Sequence, residues 1–238
     1  MIDGDEAHRQ GLSNASRRPD VWAPYRIVTA QLSSSIARHV KEAVRRVRWA
    51  VRPASVDRRA IPAEVRSLLF VCLGNICRSP FAAVVAQRYL NERGATGVAC
   101  TSAGLRPSAA GASPPEACVA SARYGVSLRD HRPRAVTRAL VDGCDLIVVM
   151  EREHADGLRK AYPDRYDRVV LLPLFDGTAR GYERYRIADP FGQSPEEYDD
   201  CYRRIQGAVG ELVAEILRPR AAEGRSSSGR SRPSGRTS

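Results

Sequence analysis

Short apolar runs alternate with amphipathic stretches through the middle of the chain. SLLFVC (67–72) is a continuous apolar run of strand length, and PFAAVVAQRYLNERG after it repeats its apolar residues at helical spacing up to Gly94. GVACTSA predicts a second strand. SPPEACVASARYG predicts a helix with Ser113 as N-cap, proline in its first turn and Gly125 at its end. RAVTRALVDG then reads as helix, DLIVVM as a third buried strand, REHADGLRKAY as helix and VVLLPL as a fourth strand. The segment SPEEYDDCYRRIQGAVGELVAEIL carries Tyr202, Ile205, Val209, Leu212, Val213 and Ile216 at helical spacing, with Ser194 as its N-cap. This alternation predicts an α/β domain with a parallel sheet covered on both faces. Ligands of such sheets bind beyond the carboxyl ends of the strands, so the loop after the first strand is where chemistry is expected.

Upstream, RIVTAQLSSSIARHVKEAVRRVRWAVR sets Leu32, Ile36, Val40, Val44 and Val47 opposite Arg38, Lys41, Arg45 and Arg48, the pattern of a basic amphipathic helix. Such a helix can lie weakly on an anionic membrane surface, dock on an acidic partner, or pack back on the domain. Pro53 and Pro62 break the chain before the core begins. Residues 1–24 and the tail AAEGRSSSGRSRPSGRTS are polar and aperiodic; they bury too little apolar area to offset the entropy of ordering and are expected to be disordered. The expected organisation is a basic extension over 1–66, with a disordered start and one helix, a domain over 67–218, and a disordered Arg/Ser-rich tail over 219–238.

Charge follows the same division. Lys/Arg and Asp/Glu number 13 and 7 in residues 1–66, 20 and 19 in 67–218, and 5 and 1 in 219–238. The net charge of +11 therefore resides almost entirely in the ends, and no nucleic-acid partner is expected for the domain. Cys72, Cys77, Cys100, Cys118, Cys144 and Cys201 lack both the paired spacing of a zinc site and the density of a disulfide scaffold. No metal or cofactor is expected, and a reducing cytoplasm is the expected compartment. The start MIDGDEAHRQ has no apolar signal-type run, and no stretch approaches the roughly 18 apolar residues of a membrane span.

The loop after the first strand reads Cys72-Leu73-Gly74-Asn75-Ile76-Cys77-Arg78-Ser79-Pro80. A thiol between a strand end and a helix start faces unpaired N–H groups and the positive end of the helix dipole, a setting that favours a thiolate nucleophile. Five residues between Cys72 and Arg78 let the backbone curl so that its amides aim at an anion held over the sulfur. Gly74 and Asn75 suit the curl because they tolerate positive φ. Arg78 offers a planar fork for two phosphate oxygens, and the Ser79 hydroxyl can donate to the sulfur. A lone cysteine is usually a small core residue and a lone arginine a solvated one. Their combination at strand end, loop and helix start points to phosphate chemistry.

VCLGNICRSP resembles the signature of the low-molecular-weight protein tyrosine phosphatases of bacterial type, and TSAGL (101–105), DHRPRAV (130–136), DLIVVM (145–150) and ADPF (188–191) resemble further segments of that family. The resemblance implies a three-layer flavodoxin-like domain with a four-stranded parallel sheet, flanked by the extensions. It implies Cys72 as nucleophile, Asp189 as general acid, and a phosphate site made by Arg78 with Leu73, Gly74, Asn75, Ile76 and Cys77. Asn75, Ser79, Ser102 and His131 would support the loop, and Leu105, Arg106 and Phe191 would form the substrate rim. The implied reaction is hydrolysis of phosphotyrosine on a protein, a bacterial tyrosine kinase being one candidate, through a phosphocysteine.

Three other readings compete with this one. Arsenate reductase of the same fold needs two relay thiols after the third strand, where MEREHADGLRKAYP has none. A protein-arginine phosphatase tends to carry Thr at the position of Ile76, whose larger side chain favours a flat aromatic ester. The third is a phosphate- or phosphopeptide-binding module without turnover, against which stands the presence of Cys72, Arg78 and Asp189 together. Departures from the family lie at the rim: LRPSAAGA around Ser108 has no aromatic residue, and Gly192 stands where a second aromatic often follows Phe191. Tyr198 and Tyr202 are assigned to the last helix, and Arg106 is expected to attract acidic phosphopeptides. Cys77 is spaced either for a protective disulfide with Cys72 or as a buried structural thiol. His154, alone on a charged helix, reads as an exposed residue rather than a metal ligand.

Overall fold

The computed structural model describes residues 61–219 together with Ile36, Val40, Ala43 and Val44. The chain divides into two units, Met1–Pro53 and Ala54–Ser238. In the first, the four described residues are helical and exposed; the rest of the segment expected to form a basic amphipathic helix, residues 1–24 and the tail from residue 220 lie outside the described residues.

In the second unit the elements run β1 (Ser67–Cys72), α1 (Arg78–Glu92), β2 (Ala99–Gly104), α2 (Pro115–Ala122), α3 (Arg138–Asp142), β3 (Leu146–Val149), α4 (Arg152–Ala161), β4 (Val169–Leu171) and α5 (Pro195–Ile216). The four strands form one parallel sheet in the order β2-β1-β3-β4. The continuous apolar character of β1 follows from burial on both faces. Leu68, Phe70 and Cys72 point into a core shared with α1, α2 and α5, while Leu69 and Val71 point into a second core with α3 and α4. Each such side chain contributes about 1.5–3 kcal/mol by leaving water. The three-layer α/β architecture is the one expected. Among the described residues no helix is long and apolar enough to cross a membrane.

Three local expectations are corrected. The fourth strand stops at Leu171 and the chain tightens into a 3-10 turn over Leu172–Phe175, because Pro173 has no N–H for a ladder. Ser113 does not cap α2. Pro114 holds the N-cap position with extended φ and ψ, since Pro115 at the first helical position bars its predecessor from helical geometry. Only Arg138–Asp142 of RAVTRALVDG is helical, with Thr137 accepting a bond from Leu140 N at 3.3 Å; Ala135 bridges Gly104 in extended form.

The order of the strands places the change in winding direction between β1 and β3, so that a crevice opens beyond their carboxyl ends. A long excursion after β4 returns to this point. Arg204 of α5 fastens it, with Nε to Asp176 at 2.9 Å, Nη1 to Glu183 at 3.3 Å and Nη2 to the Arg186 carbonyl at 3.2 Å. Ile187 N then bonds Met150 O at 2.9 Å, and Arg186 bridges Glu151 at the end of β3. Asp189 follows two residues after Ile187, in contact with Arg78 at the start of α1.

Candidate active site

Cys72 closes β1 and Arg78 opens α1, so the loop between them is anchored at both ends by regular structure. Asn75 makes its sharpest bend at φ 54°, the left-handed region that asparagine tolerates. Four successive carbonyls face away from the loop centre. Cys72 O accepts from Leu105 N at 3.0 Å, Leu73 O from Arg106 N at 2.9 Å, Gly74 O from Ser108 N at 3.0 Å, and Asn75 O from His131 Nε2 at 2.7 Å. In a trans peptide the N–H points opposite to the C=O. The amides of Leu73, Gly74, Asn75 and Ile76 therefore turn inward, and Asn75 N donates to Cys72 Sγ at 3.2 Å.

The sulfur has a second neighbour in Ser79 Oγ at 3.0 Å. Asn75 Nδ2 donates to that hydroxyl at 2.9 Å and to Ser102 Oγ at 3.0 Å, while Asn75 Oδ1 accepts from Arg134 N at 2.9 Å. With its oxygen already receiving the Asn75 bond, Ser79 has two acceptors in reach of its own proton, the sulfur at 3.0 Å and the Ala103 carbonyl at 3.4 Å, the sulfur being the nearer. His131 is half-buried, and burial, with Arg134 and Arg132 nearby, holds its pKa below the ordinary value while its bond to the Asn75 carbonyl works the other way. Asn75, Ser79, Ser102 and His131 thus meet in one network, which Arg134 extends by bonding Ser102 O at 2.8 Å.

Arg78 is 1% exposed, and its guanidinium is shared among three acceptors. Nη1 donates to Glu151 Oε1 and to the Ile187 carbonyl, each at 3.1 Å, and Nη2 lies 2.5 Å from Asp189 Oδ2. Its Nε is buried with no protein partner. Burial disfavours the charge, but the Asp189 and Glu151 carboxylates outweigh it and hold the Arg78 pKa above the ordinary arginine value. Glu151 and Ile187 had no signal in the sequence. His154 is corrected: it is 2% exposed, with Nε2 3.1 Å from Glu151 Oε1. It shares a buried stripe of α4 with Ala155 and Leu158, a helical spacing that could have revealed it.

Cys77 is buried, and burial with the neighbouring Asp189 and Cys72 pushes its thiol well above the ordinary range. It therefore stays protonated, leaving Cys72 as the nucleophile candidate. Ile76 is buried against the core and Leu73 is partly exposed. Leu105 is half-buried with its side chain packed on the second core, and Arg106 is exposed. Phe191 is 57% exposed beside Asp189, whereas Tyr198 and Tyr202 are buried in α5. Among the described residues, no group of three or more His, Cys, Asp or Glu could hold a metal ion.

The match to known proteins covers the same stretch that builds this loop. The family model for low molecular weight phosphotyrosine protein phosphatase matches residues 67–222. The low molecular weight protein-tyrosine-phosphatase Wzb of Escherichia coli K12 is 32% identical over 150 residues, covering 63% of this chain and 95% of that protein. The crystal structure of the Erwinia amylovora tyrosine phosphatase AmsI is similar with a TM-score of 0.57 and 30% identity, covering 65% of this chain and 95% of that one. YwlE arginine phosphatase from Geobacillus stearothermophilus is similar with a TM-score of 0.54 and 26% identity, covering 63% and 92%. On the family match, which spans more than half of its residues, the chain belongs to the low molecular weight phosphotyrosine protein phosphatases.

Proposed function

We propose that the protein hydrolyses phosphotyrosine on protein substrates through a phosphocysteine intermediate. The observation that carries this reading is the convergence at one loop of the Cys72 sulfur, the inward amides, the unpartnered Arg78 Nε and the Asp189 carboxyl. A phosphoryl group seated over Cys72 finds N–H donors for its equatorial oxygens, and Nε is the guanidinium donor left for one of them. The sulfur attacks phosphorus in line with the ester oxygen. The S–P bond forms as the P–O bond breaks, and Asp189 gives its proton to the departing phenol. Water then attacks the phosphocysteine, passing a proton to Asp189. The Ser79 hydroxyl, 3.0 Å from the sulfur, stabilises it as leaving group. Arg78 and the amides supply the charge stabilisation that a metal ion supplies in other phosphoryl-transfer enzymes.

The likeness to an arginine phosphatase makes phosphoarginine the competing substrate, and Ile76 in the loop argues for the flat aryl ester. Phe191 stacks on that ring and Arg106 draws acidic sequences. The same reading makes Cys77 the oxidation partner of Cys72: peroxide converts the Cys72 thiolate to a sulfenic acid, which condenses with the Cys77 thiol to a disulfide and water. Equal recovery by thiol of peroxide-treated Cys77→Ser and wild type would remove that role.

The test is a rate profile on phosphotyrosine, phosphoserine and phosphoarginine peptides and on arsenate. Selective phosphotyrosine turnover is expected, abolished in Cys72→Ser and reduced about 10²–10⁴-fold in Asp189→Asn. Preference for phosphoarginine, or turnover that survives Cys72→Ser, overturns the reading.

A further inference from the structure

Glu151 directly precedes α4, and its backbone is held from two directions. Its carbonyl accepts from His154 N at 3.0 Å and from Ala155 N at 3.4 Å, and its extended backbone bridges Arg186. These bonds fix the stem of the side chain but not the plane of its carboxylate, because the last torsion of a glutamate is broad. That plane matters at Arg78. Glu151 Oε1 accepts from Nη1 at 3.1 Å, so it helps to set the tilt of the guanidinium and the direction of the buried Nε, the donor left for a phosphoryl oxygen.

We propose that His154 is a positioning residue that orients Arg78 for anion binding by holding the Glu151 carboxylate. The inference rests on Arg78 being the phosphate site. His154 Nε2 stands 3.1 Å from Glu151 Oε1, the same oxygen that Arg78 Nη1 meets. A ring nitrogen that close to a carboxylate oxygen carries its hydrogen, whether the ring is neutral or charged. Two donors converging on one oxygen from α1 and α4 fix it more closely than either does alone. Arg78, His154 and Glu151 are 1%, 2% and 5% exposed, and in a site so closed to water a lost donor is not cheaply replaced. The ring shares the buried stripe of α4 with Ala155 and Leu158, so packing keeps it in place and the carboxylate conforms to it.

This role differs from packing in what its loss affects. The neighbours of Cys72 Sγ are Asn75 N at 3.2 Å and Ser79 Oγ at 3.0 Å, both in the phosphate loop and its helix start. A tilted guanidinium therefore weakens the hold on an anion and leaves the thiolate able to react.

The test compares alkylation of Cys72 by iodoacetate, an anion that Arg78 attracts, with alkylation by neutral iodoacetamide. The thiolate displaces iodide from either reagent, and the product is read by mass at Cys72. In His154→Leu the iodoacetamide rate is expected to stay within about twofold of wild type, while the iodoacetate rate falls about tenfold and inorganic phosphate inhibits about tenfold less well. His154→Gln, which keeps an N–H donor, is expected to recover most of both losses. In a Glu151→Gln background His154→Leu is expected to add less than about twofold. A general loosening of the fold moves both alkylation rates together, and His154→Met, read in the same way, replaces the leucine variant if that one does not fold. Equal change with both reagents, no change with either, or the full effect persisting without the Glu151 carboxylate overturns the proposal. If wild type shows no preference for iodoacetate, the reading of Arg78 as the phosphate site falls first; if it does and His154→Leu keeps that preference, only the role of His154 falls.

Discussion

Arg78 Nη2 and Asp189 Oδ2 lie 2.5 Å apart although 111 residues separate them in the chain. The proposed phosphate-binding cation and the candidate acid therefore hold each other in the resting site, and on that proposal a phosphate dianion has to compete with a carboxylate for the same N–H. Removing that carboxylate charge frees the donor and removes a repulsion. Asp189→Asn is expected to bind inorganic phosphate about tenfold tighter at neutral pH, the worth of one charge-assisted hydrogen bond, while its turnover falls. Competitive inhibition by phosphate measures it, and weaker binding in the variant would mean that the pair assists the anion rather than competing with it.

Glu151 braces the other side of the guanidinium. It is 5% exposed and accepts from Arg78 Nη1 at 3.1 Å, so the charge of each is offset by the other in a site nearly closed to water. Breaking such a pair from one side costs about 3–5 kcal/mol because the remaining charge is left less compensated. Glu151→Gln is expected to lose stability of that order in urea denaturation and to lower kcat/KM about tenfold as the fork loosens. Unchanged stability would mean that water reaches the pair.

Cys72 to Pro80 could be read from the sequence because the loop is contiguous: strand, curl and helix start are neighbours in the chain, and each constrains the next. Asp189 is different. Its tie to Arg78 depends on the excursion that Arg204 fastens and on Ile187 pairing with Met150, none of which local periodicity encodes, so only the resemblance of ADPF to a family segment singled it out. Glu151 is hidden for the same reason, and charged neighbours mask the place of His154 on the buried stripe of α4. The outward carbonyls were equally invisible, since Leu105, Arg106 and Ser108 act there through backbone N–H groups that any residue but proline provides.

Gly104 shows how closely β2 supports the loop. A Cβ built there would sit 2.8 Å from Leu73 O and 3.0 Å from Asn75 N, both backbone atoms that cannot swing aside. Gly104→Ala is expected to cost about 1–3 kcal/mol by overpacking and to displace the amides enough to cut kcat/KM about 10²-fold. Paired thermal melts and rates check it. Full activity with only a lowered Tm would show that the strain is taken up in β2 and not in the loop.

His131 gives the support a pH dependence. Its Nε2–H holds the Asn75 carbonyl, and its pKa is lowered by burial and by Arg134 and Arg132, against the pull of that hydrogen bond. Above the ordinary value of 6.5 the ring is neutral in both folded and unfolded chains, and its contribution is fully present. As pH falls below that value the unfolded chain takes up a proton that the folded one resists, so stability is lost down to the lower folded pKa. Glutamine at this position keeps an N–H for the carbonyl and does not titrate. The Tm of the wild type is therefore expected to fall more steeply than that of His131→Gln between about pH 7 and pH 5, with the two closest in slope above pH 7. Parallel curves across the acid range would show that the imidazole proton is not linked to folding and that His131 serves the loop by its hydrogen bond alone.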